Sequence, residues 1–391
     1  MKNVLFIHHE SGIGGSPINM INIIEYLDKS KFKAKVLLLK NSSLSKLLEE
    51  KNINYEIVNY WFYRRFYKYF YHIVPSYIKW YQLLDFIKCT LSWILSRYYF
   101  ANKILENQKC DIIHLNSSVL TDWLAPSKCK AKVVIHIQEP FSTGYFGLRS
   151  CFFRKQIKLY ADKIIVISRD NSNRLNVPSK SVIVYNFVHD NFFSSAPNNS
   201  TRNKIIYVGG QSKIKGFHTV INALEFLNKD IIVLFLGYYN DSSKYLGIKG
   251  FLRRIVDHHY KDLKKMRTSR NCIEVGFKNE VFYYIQNSHI LISPFTKDHF
   301  SRPVIEAFAA SRPAIGSNIV GMEEIIDHNT NGIIVEKNNS KALANAINYL
   351  CSNSEIAQEM GLKGYNIAKK LYSYDNIKKI EKVYFEICED I

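Results

Sequence analysis

Short apolar runs, each closed by a polar or glycine-rich break, recur along most of the chain. Val4–Ile7, Lys35–Leu39, Ile53–Val58, Asp111–Asn116, Lys132–Pro140, Asp162–Ser168 and Val182–Asn186 have the length and continuous apolar character of strands buried on both faces. Between them lie stretches with helical spacing: Ile18, Ile21, Ile24 and Leu27, then Ser43–Lys51, then a basic segment at residues 144–160. The same alternation resumes later with strands at Lys204–Gly209, Ile231–Leu236, Ile273–Phe277 and His289–Ser293. Helices are predicted near Phe217, from Asn279, at Pro303–Ala310, Ser340–Cys351 and Glu355–Leu371, and over residues 375–390. Strand and helix in alternation predict an α/β protein with parallel sheets. The polar run Ser194–Arg202 is the best linker in the chain and puts a domain boundary at 195/196.

One segment breaks the alternation. Residues 60–100 hold Tyr60–His72, Tyr77–Tyr81 and Trp93–Phe100, aromatic rings interleaved with lysine and arginine. Rings at headgroup level with cations meeting anionic lipid are what a membrane-interfacial segment uses. A core helix with snorkelling cations is the bland reading, and stacking on nucleic acid is a third. A second basic stretch, Tyr238–Arg270, reads as a solvated face.

Composition narrows the partners. The 391 residues suffice for two domains, and a net charge of +19 from 53 Lys and Arg against 34 Asp and Glu calls for an anionic partner or reflects a Lys-rich composition. Seven cysteines without a C-x-x-C pair argue against a zinc site or disulfide framework and for a reducing compartment. No leader or membrane-spanning run is expected, since Met1-Lys-Asn passes straight into a strand pattern.

Candidate chemistry concentrates in two places. After the first strand, Glu10–Pro17 is a glycine-rich loop opening a helix, where Gly14 and Gly15 let backbone approach an anion; alone it can equally be a tight turn. Residues 293–335 are richer. Asp298 lies in a loop, Pro303 at a plausible first helical turn and Glu306 inside the helix, so both acids can face one cleft, and the helix start suits an anionic ligand. The strand ends also place Asn116, His136 and Glu139 beyond a sheet's carboxyl edge, where open α/β sheets bind ligands; a buried histidine there can equally be a satisfied polar group.

The string Asp298–Glu306 with Gly321, Glu324 and Asn331–Val335 resembles the E-x7-E region of retaining glycosyltransferases of family 4. Asp298 stands where that family has Glu, and Ser301 where it has Gly. Further likenesses are Asn186–His189 to an interdomain segment, and Val208–Gly216 to a donor-phosphate segment, with Lys215 and Gly216 matching and Gly210 replacing an arginine.

The resemblance implies a GT-B fold, two Rossmann-like domains whose parallel sheets face across a cleft. It assigns an acceptor-binding domain at 1–195 with the aromatic insertion at 60–100, a nucleotide-sugar domain at 196–373, and a helix at 374–391 returning to the first domain. It further implies a retaining hexosyl or N-acetylhexosaminyl transfer from a nucleotide sugar to a lipid-linked or polysaccharide acceptor, in bacterial cell-surface glycan assembly. Asp298 and His136 would meet the donor sugar. Gly14, Gly15, Lys215, Gly276, Phe300, Ser301, Arg302 and Glu306 would bind the donor, with Glu306 on the ribose hydroxyls and Lys213 or Arg302 as substitute cations for the missing arginine. Glu139 and Asn116 would serve the acceptor, and the basic helix at 144–160 its rim. No Asp-x-Asp occurs, so no metal and no resident cofactor are expected. The expected location is the inner face of the cell membrane, peripherally bound, without nucleic acid. Two alternatives remain: a catalytically weakened partner subunit, and a sugar-nucleotide epimerase of the same fold.

Overall fold

The structure, a computed structural model, describes residues 1–9, 14–68, 83–141, 147–193, 202–239, 258–278 and 280–389. The chain divides into two compact units, Met1–Phe187 with Tyr374–Ile391, and Val188–Ser373. The division therefore falls before the Ser194–Arg202 run, most of which lies outside the described residues.

The first unit holds β1 (Lys2–His8), β2 (Phe32–Leu38), β3 (Tyr55–Ile57), β4 (Ile112–Leu115), β5 (Lys132–Ile137), β6 (Lys163–Val166) and β7 (Ser181–Ile183). They form one sheet in the order β3-β2-β1-β4-β5-β6-β7, every pair parallel. The second unit holds β8 (Lys204–Val208), β9 (Ile232–Leu236), β10 (Cys272–Gly276), β11 (Ile290–Ser293), β12 (Ala314–Ser317) and β13 (Gly332–Val335), in the parallel order β10-β9-β8-β11-β12-β13. Each order reverses once, at β1/β4 and at β8/β11. Such switch points open a crevice at the strands' carboxyl ends.

Parallel strands are covered on both faces, which is why their sequences are apolar throughout rather than alternating. In the first unit Leu5, Ile7, Ile113, Leu115 and Ile135 join one core and Val4, Phe6, Ile112, Val134 and Ile165 the other. The helix Asn376–Glu389 closes the second of these with Ile377, Ile380, Val383, Tyr384 and Ile387. A polar line runs beneath it. Tyr384 Oη lies 2.7 Å from His114 Nδ1, and His114 Nε2 lies 3.2 Å from His136 Nδ1.

Two stretches part from their sequence reading. Phe62, Tyr63 and Tyr67 are buried with Trp123, and Phe62 stacks on Phe100 at 4.2 Å, so this part of the aromatic segment is core. Tyr77–Tyr81 lie outside the described residues. The stretch read as a solvated basic face contains the helix His258–Thr268, which buries Leu263 and Met266; residues 240–257 lie outside the described residues. An amphipathic helix with few apolar anchors on a charged background gives a weak periodic pattern.

Burial lowers the pKa of His8 and of His136 to about 3, and that of His114 well below the ordinary value. The unfolded chain binds protons at these sites below pH ~6.5 that the folded chain refuses. Their contribution to stability is thus present above pH ~6.5 and is lost as pH falls toward 3. The unfolding free energy is expected to drop through this window, and His136→Gln to reduce the slope by up to about 1.4 kcal/mol per pH unit. Urea unfolding at stepped pH measures it; an unchanged slope would refute the assignment to His136.

Candidate functional site

In the second unit, five loops leaving the carboxyl ends of the strands are tied to one another by backbone contacts. Gly209 and Gly210 donate N–H to the Leu236 carbonyl at 3.1 and 2.9 Å, Gln211 donates to Tyr238, and Gly237 donates to Gly276. Thr296 donates N–H to the Ile214 carbonyl at 2.8 Å, and His299 donates to Val320 at 3.2 Å. Close approach is what the glycines permit. A Cβ on Gly216, at φ +81°, would sit 1.9 Å from the Pro294 oxygen, and one on Gly321, at φ +91°, 2.8 Å from the His299 oxygen. The matched Lys215-Gly216 pair is thereby set against the loop that carries Asp298 and His299.

Lys215 is half-buried, makes no ion pair with a described residue, and has its pKa lowered by burial. Beside it, His299 stacks on Phe295 at 4.6 Å. Burial first, and the Lys215 cation second, push its pKa to about 4, so it stands neutral at pH 7. The cation thus lies beside a neutral imidazole, carried on the loop that leads into the helix Arg302–Ala309, whose first turn includes Pro303. Unsatisfied donors and the positive end of a helix add to an anion-attracting field.

Glu306 lies in that helix, nearly buried, and its Oε1 accepts from Arg302 Nε at 2.7 Å, one turn earlier. Arg302 therefore holds the carboxylate in a fixed rotamer. Ser301 is fully buried and shares a 2.9 Å hydrogen bond with the Ser293 hydroxyl. Its φ of −85° explains why serine is accepted where the related motif has glycine. Phe300 is buried, its ring 6.2 Å from that of Tyr372. Asp298 is half-exposed on the loop, and Gly276 takes φ +77° with open space where a Cβ would stand.

In the first unit the strand ends build a second polar cluster. Asn116 is fully buried, with Nδ2 3.1 Å from His8 Nδ1 and 3.3 Å from Ser16 Oγ, in the turn that follows Gly14 and Gly15. Gln138 Nε2 donates to Asn116 Oδ1, and Asn19 Nδ2 donates to Gln138 Oε1 at 3.3 Å. Glu139 Oε1 accepts from Ser117 Oγ and from the Ser118 N–H, both at 2.7 Å, and from the Ser118 hydroxyl. Burial raises the Glu139 pKa, against the pull of those donors.

His136 does not join this cluster. It sits inside β5, one residue before its end, and faces the core with Val134 because strand side chains alternate. Its ring meets His114 instead, which corrects its expected placement against a donor sugar. The strand end belongs to Gln138 and Glu139. His8, Gln138 and Asn19 escaped the sequence reading; Gln138 follows His136 by two residues and reaches the cluster because it stands past the end of the strand, where His136 lies within it. Nor does Arg154 face a rim. Its Nε donates to the Leu175 carbonyl at 2.7 Å and caps the helix Arg169–Leu175. Residues 10–13 of the first glycine loop and 142–146 lie outside the described residues.

Comparison with known proteins shows what the second unit and the fold are similar to. The family model for glycosyl transferases group 1 matches residues 188–367. The matched residues lie within the second unit. An uncharacterized glycosyltransferase of Methanocaldococcus jannaschii is 24% identical over 311 residues, 76% of this chain and 82% of that protein. The capsular polysaccharide biosynthesis glycosyltransferase CapM of Staphylococcus aureus is 25% identical over 179 residues, 46% of this chain and 44% of that protein. The crystal structure of Anabaena HepE in complex with UDP-glucose superposes with a TM-score of 0.76 at 15% identity, covering 100% of both chains. The fold is GT-B, with two parallel-sheet α/β domains as the sequence pattern predicts.

Gly210, which stands where the related segment has arginine, is held there by shape. It takes φ +53°, and a Cβ would lie 2.8 Å from both N and O of Tyr238. Gly210→Arg is therefore expected to destabilise the protein by at least about 1–2 kcal/mol, the cost of a left-handed non-glycine residue, with the clash in addition. Thermal or urea unfolding measures this; a variant as stable as the parent would refute the steric account.

Proposed function

We propose that the protein is a retaining glycosyltransferase that takes a hexosyl or N-acetylhexosaminyl group from a nucleoside-diphosphate sugar and places it on a lipid-linked or polysaccharide acceptor. The observation that carries this reading is the Lys215 ammonium, without an ionic partner among the described residues, held between a glycine turn and the loop before the Arg302–Ala309 helix. Such a cation suits a diphosphate, first as a bound group and then as a leaving group gaining charge. The neutral His299 beside it brings no second charge and suits hydrogen bonding to the same anion or its sugar. Glu306, oriented by Arg302, has the acceptor oxygens a ribose diol needs. Asp298, half-exposed on the adjoining loop, is the group proposed to meet the sugar hydroxyls. The capsular and nucleotide-sugar relatives named above support the same class of donor and acceptor. Leaving-group stabilisation and alignment then supply the chemistry, without a protein nucleophile or a metal.

Isothermal titration with UDP and GDP, and with their sugars, tests the donor site. Tight binding to the parent protein is expected. Glu306→Ala and Lys215→Ala should each weaken it by about 1.5–3 kcal/mol, roughly 10- to 100-fold, as for a lost charged hydrogen bond. Lys215→Ala should leave the affinity for the bare nucleoside unchanged. A product whose anomeric configuration is inverted, read by NMR, would exclude the retaining course.

Arg302 acts through Glu306 in this reading rather than on the phosphates. Arg302→Leu removes the partner that orients the buried Glu306 carboxylate, so nucleoside binding should weaken several-fold, and the loss should vanish when Glu306 is already alanine. Additive losses in that double-mutant cycle would instead mean direct contact between Arg302 and the ligand.

A further inference from the structure

The helix Leu83–Leu95 and the turn Ser96–Phe100 that extends it are built inside out. One stripe, Cys89, Ser92 and Ser96, turns inward and is buried, although two of its members carry hydroxyls. Ser96 Oγ meets the buried Tyr63 hydroxyl at 2.7 Å, and Ser92 Oγ accepts from the Lys68 N–H at 3.0 Å. Arg97 is also drawn in, 5.0 Å from the ring centre of Trp93 and 4.8 Å from that of Tyr160. The opposite stripe is apolar and faces water: Leu84 at 83% exposure, Ile87, Leu91, Ile94 and Leu95, then Tyr98 at 69%. Phe86, Tyr99 and Trp61 are exposed as well. A soluble surface helix has the reverse arrangement, and contiguous exposed apolar area of this kind marks a contact surface.

The charges choose the occupant. Between residues 60 and 103 the chain has seven lysines and arginines and a single acid, Asp85, which is bound to Lys68. Arg64, Arg65 and Lys103 are exposed. A second copy of this chain would set like charges against like. Lys103 lies 5.7 Å from the centre of the exposed Tyr99 ring, and the ring of Trp61, in the turn before Arg64 and Arg65, lies 6.4 Å from that of Phe100. An apolar stripe on so basic a segment selects a lipid surface more directly than a protein partner, since the acyl region takes the leucines and rings and the phosphates take the cations. We propose that the exposed face of Leu84, Ile87, Leu91, Ile94 and Tyr98, with Arg64, Arg65 and Lys103, docks the protein on an anionic bilayer. Amphipathic rings such as Trp61 and Tyr98 then lie at the headgroup level. The proposal is independent of the donor site and stands whichever nucleotide, if any, binds there. It also narrows the aromatic segment: Phe62, Tyr63 and Tyr67 belong to the core and take no part.

Co-sedimentation of the full chain with vesicles of equimolar phosphatidylglycerol and phosphatidylcholine, against vesicles of phosphatidylcholine alone, tests this. Binding to the anionic vesicles is expected, weakened by salt and much lower on the zwitterionic ones. The combined variant Leu84→Ser, Ile87→Ser, Leu91→Ser should bind at least about tenfold more weakly, with unfolding temperature maintained since these side chains are exposed. Arg64→Gln with Arg65→Gln provides a second, charge-only variant, expected to lose most of the preference for anionic lipid. Absence of vesicle binding by the parent overturns the proposal. So does binding that both variants retain in full, or a concentration-dependent dimer in sedimentation analysis that the serine variant dissolves while vesicles bind neither protein.

Discussion

The approach of Gly216 to the Pro294 carbonyl is the constraint on which the second unit's chemistry depends. No side chain fits between them, and the backbone there turns through the left-handed region. That contact, with the Thr296 to Ile214 hydrogen bond, fixes the loop after β8 against the loop after β11. Lys215 and His299 are neighbours as a result, although 84 residues of sequence separate them. The same logic repeats at Gly321 under the His299 carbonyl and at Gly210 under Tyr238. These three glycines serve as spacers between backbones, and Lys215 and His299 are placed by what they allow.

Electrostatics within the cluster follow from burial. Desolvation favours the neutral forms of Lys215 and His299, and the lysine's charge further discourages protonation of the histidine. An anion entering beside them would relieve the lysine's unpaired state. Glu306 is in the opposite condition, already paired with Arg302 along one face of the same helix. One acidic and one basic group are thus preset, while the other basic group awaits a partner. This asymmetry suits a ligand with a charged end and a hydroxylated end.

Much of the fold and part of the site were legible in the residues. Continuous apolar runs gave the parallel strands, since strands covered on both faces need no alternation, and the glycine positions marked loops where backbones approach. Asp298, Glu306 and Lys215 were named through the resemblance, and the structure sets Lys215-Gly216 against the loop that carries Asp298. The sequence reading failed at His136, whose place in the apolar run suggested a strand end while the strand's pleat turns it inward to His114. It also missed that Arg302 pairs with Glu306, an ordinary i, i+4 contact along the helix.

Sequence by itself determined the α/β alternation, the two parallel sheets and the residue types brought to the strand ends, because hydrophobic period and glycine geometry are local properties. Tertiary structure alone decided which side of each element faces its neighbours. The aromatic segment shows this most clearly. Its sequence states that rings and cations alternate, but not that Phe62, Tyr63 and Tyr67 would be sealed around Trp123 while Leu84, Ile87 and Leu91 stay in water. A helix rotates freely about its axis until a packing surface chooses a face. Here buried hydroxyl partners, Tyr63 for Ser96 and the Lys68 amide for Ser92, turned the polar stripe inward and left the apolar one outside.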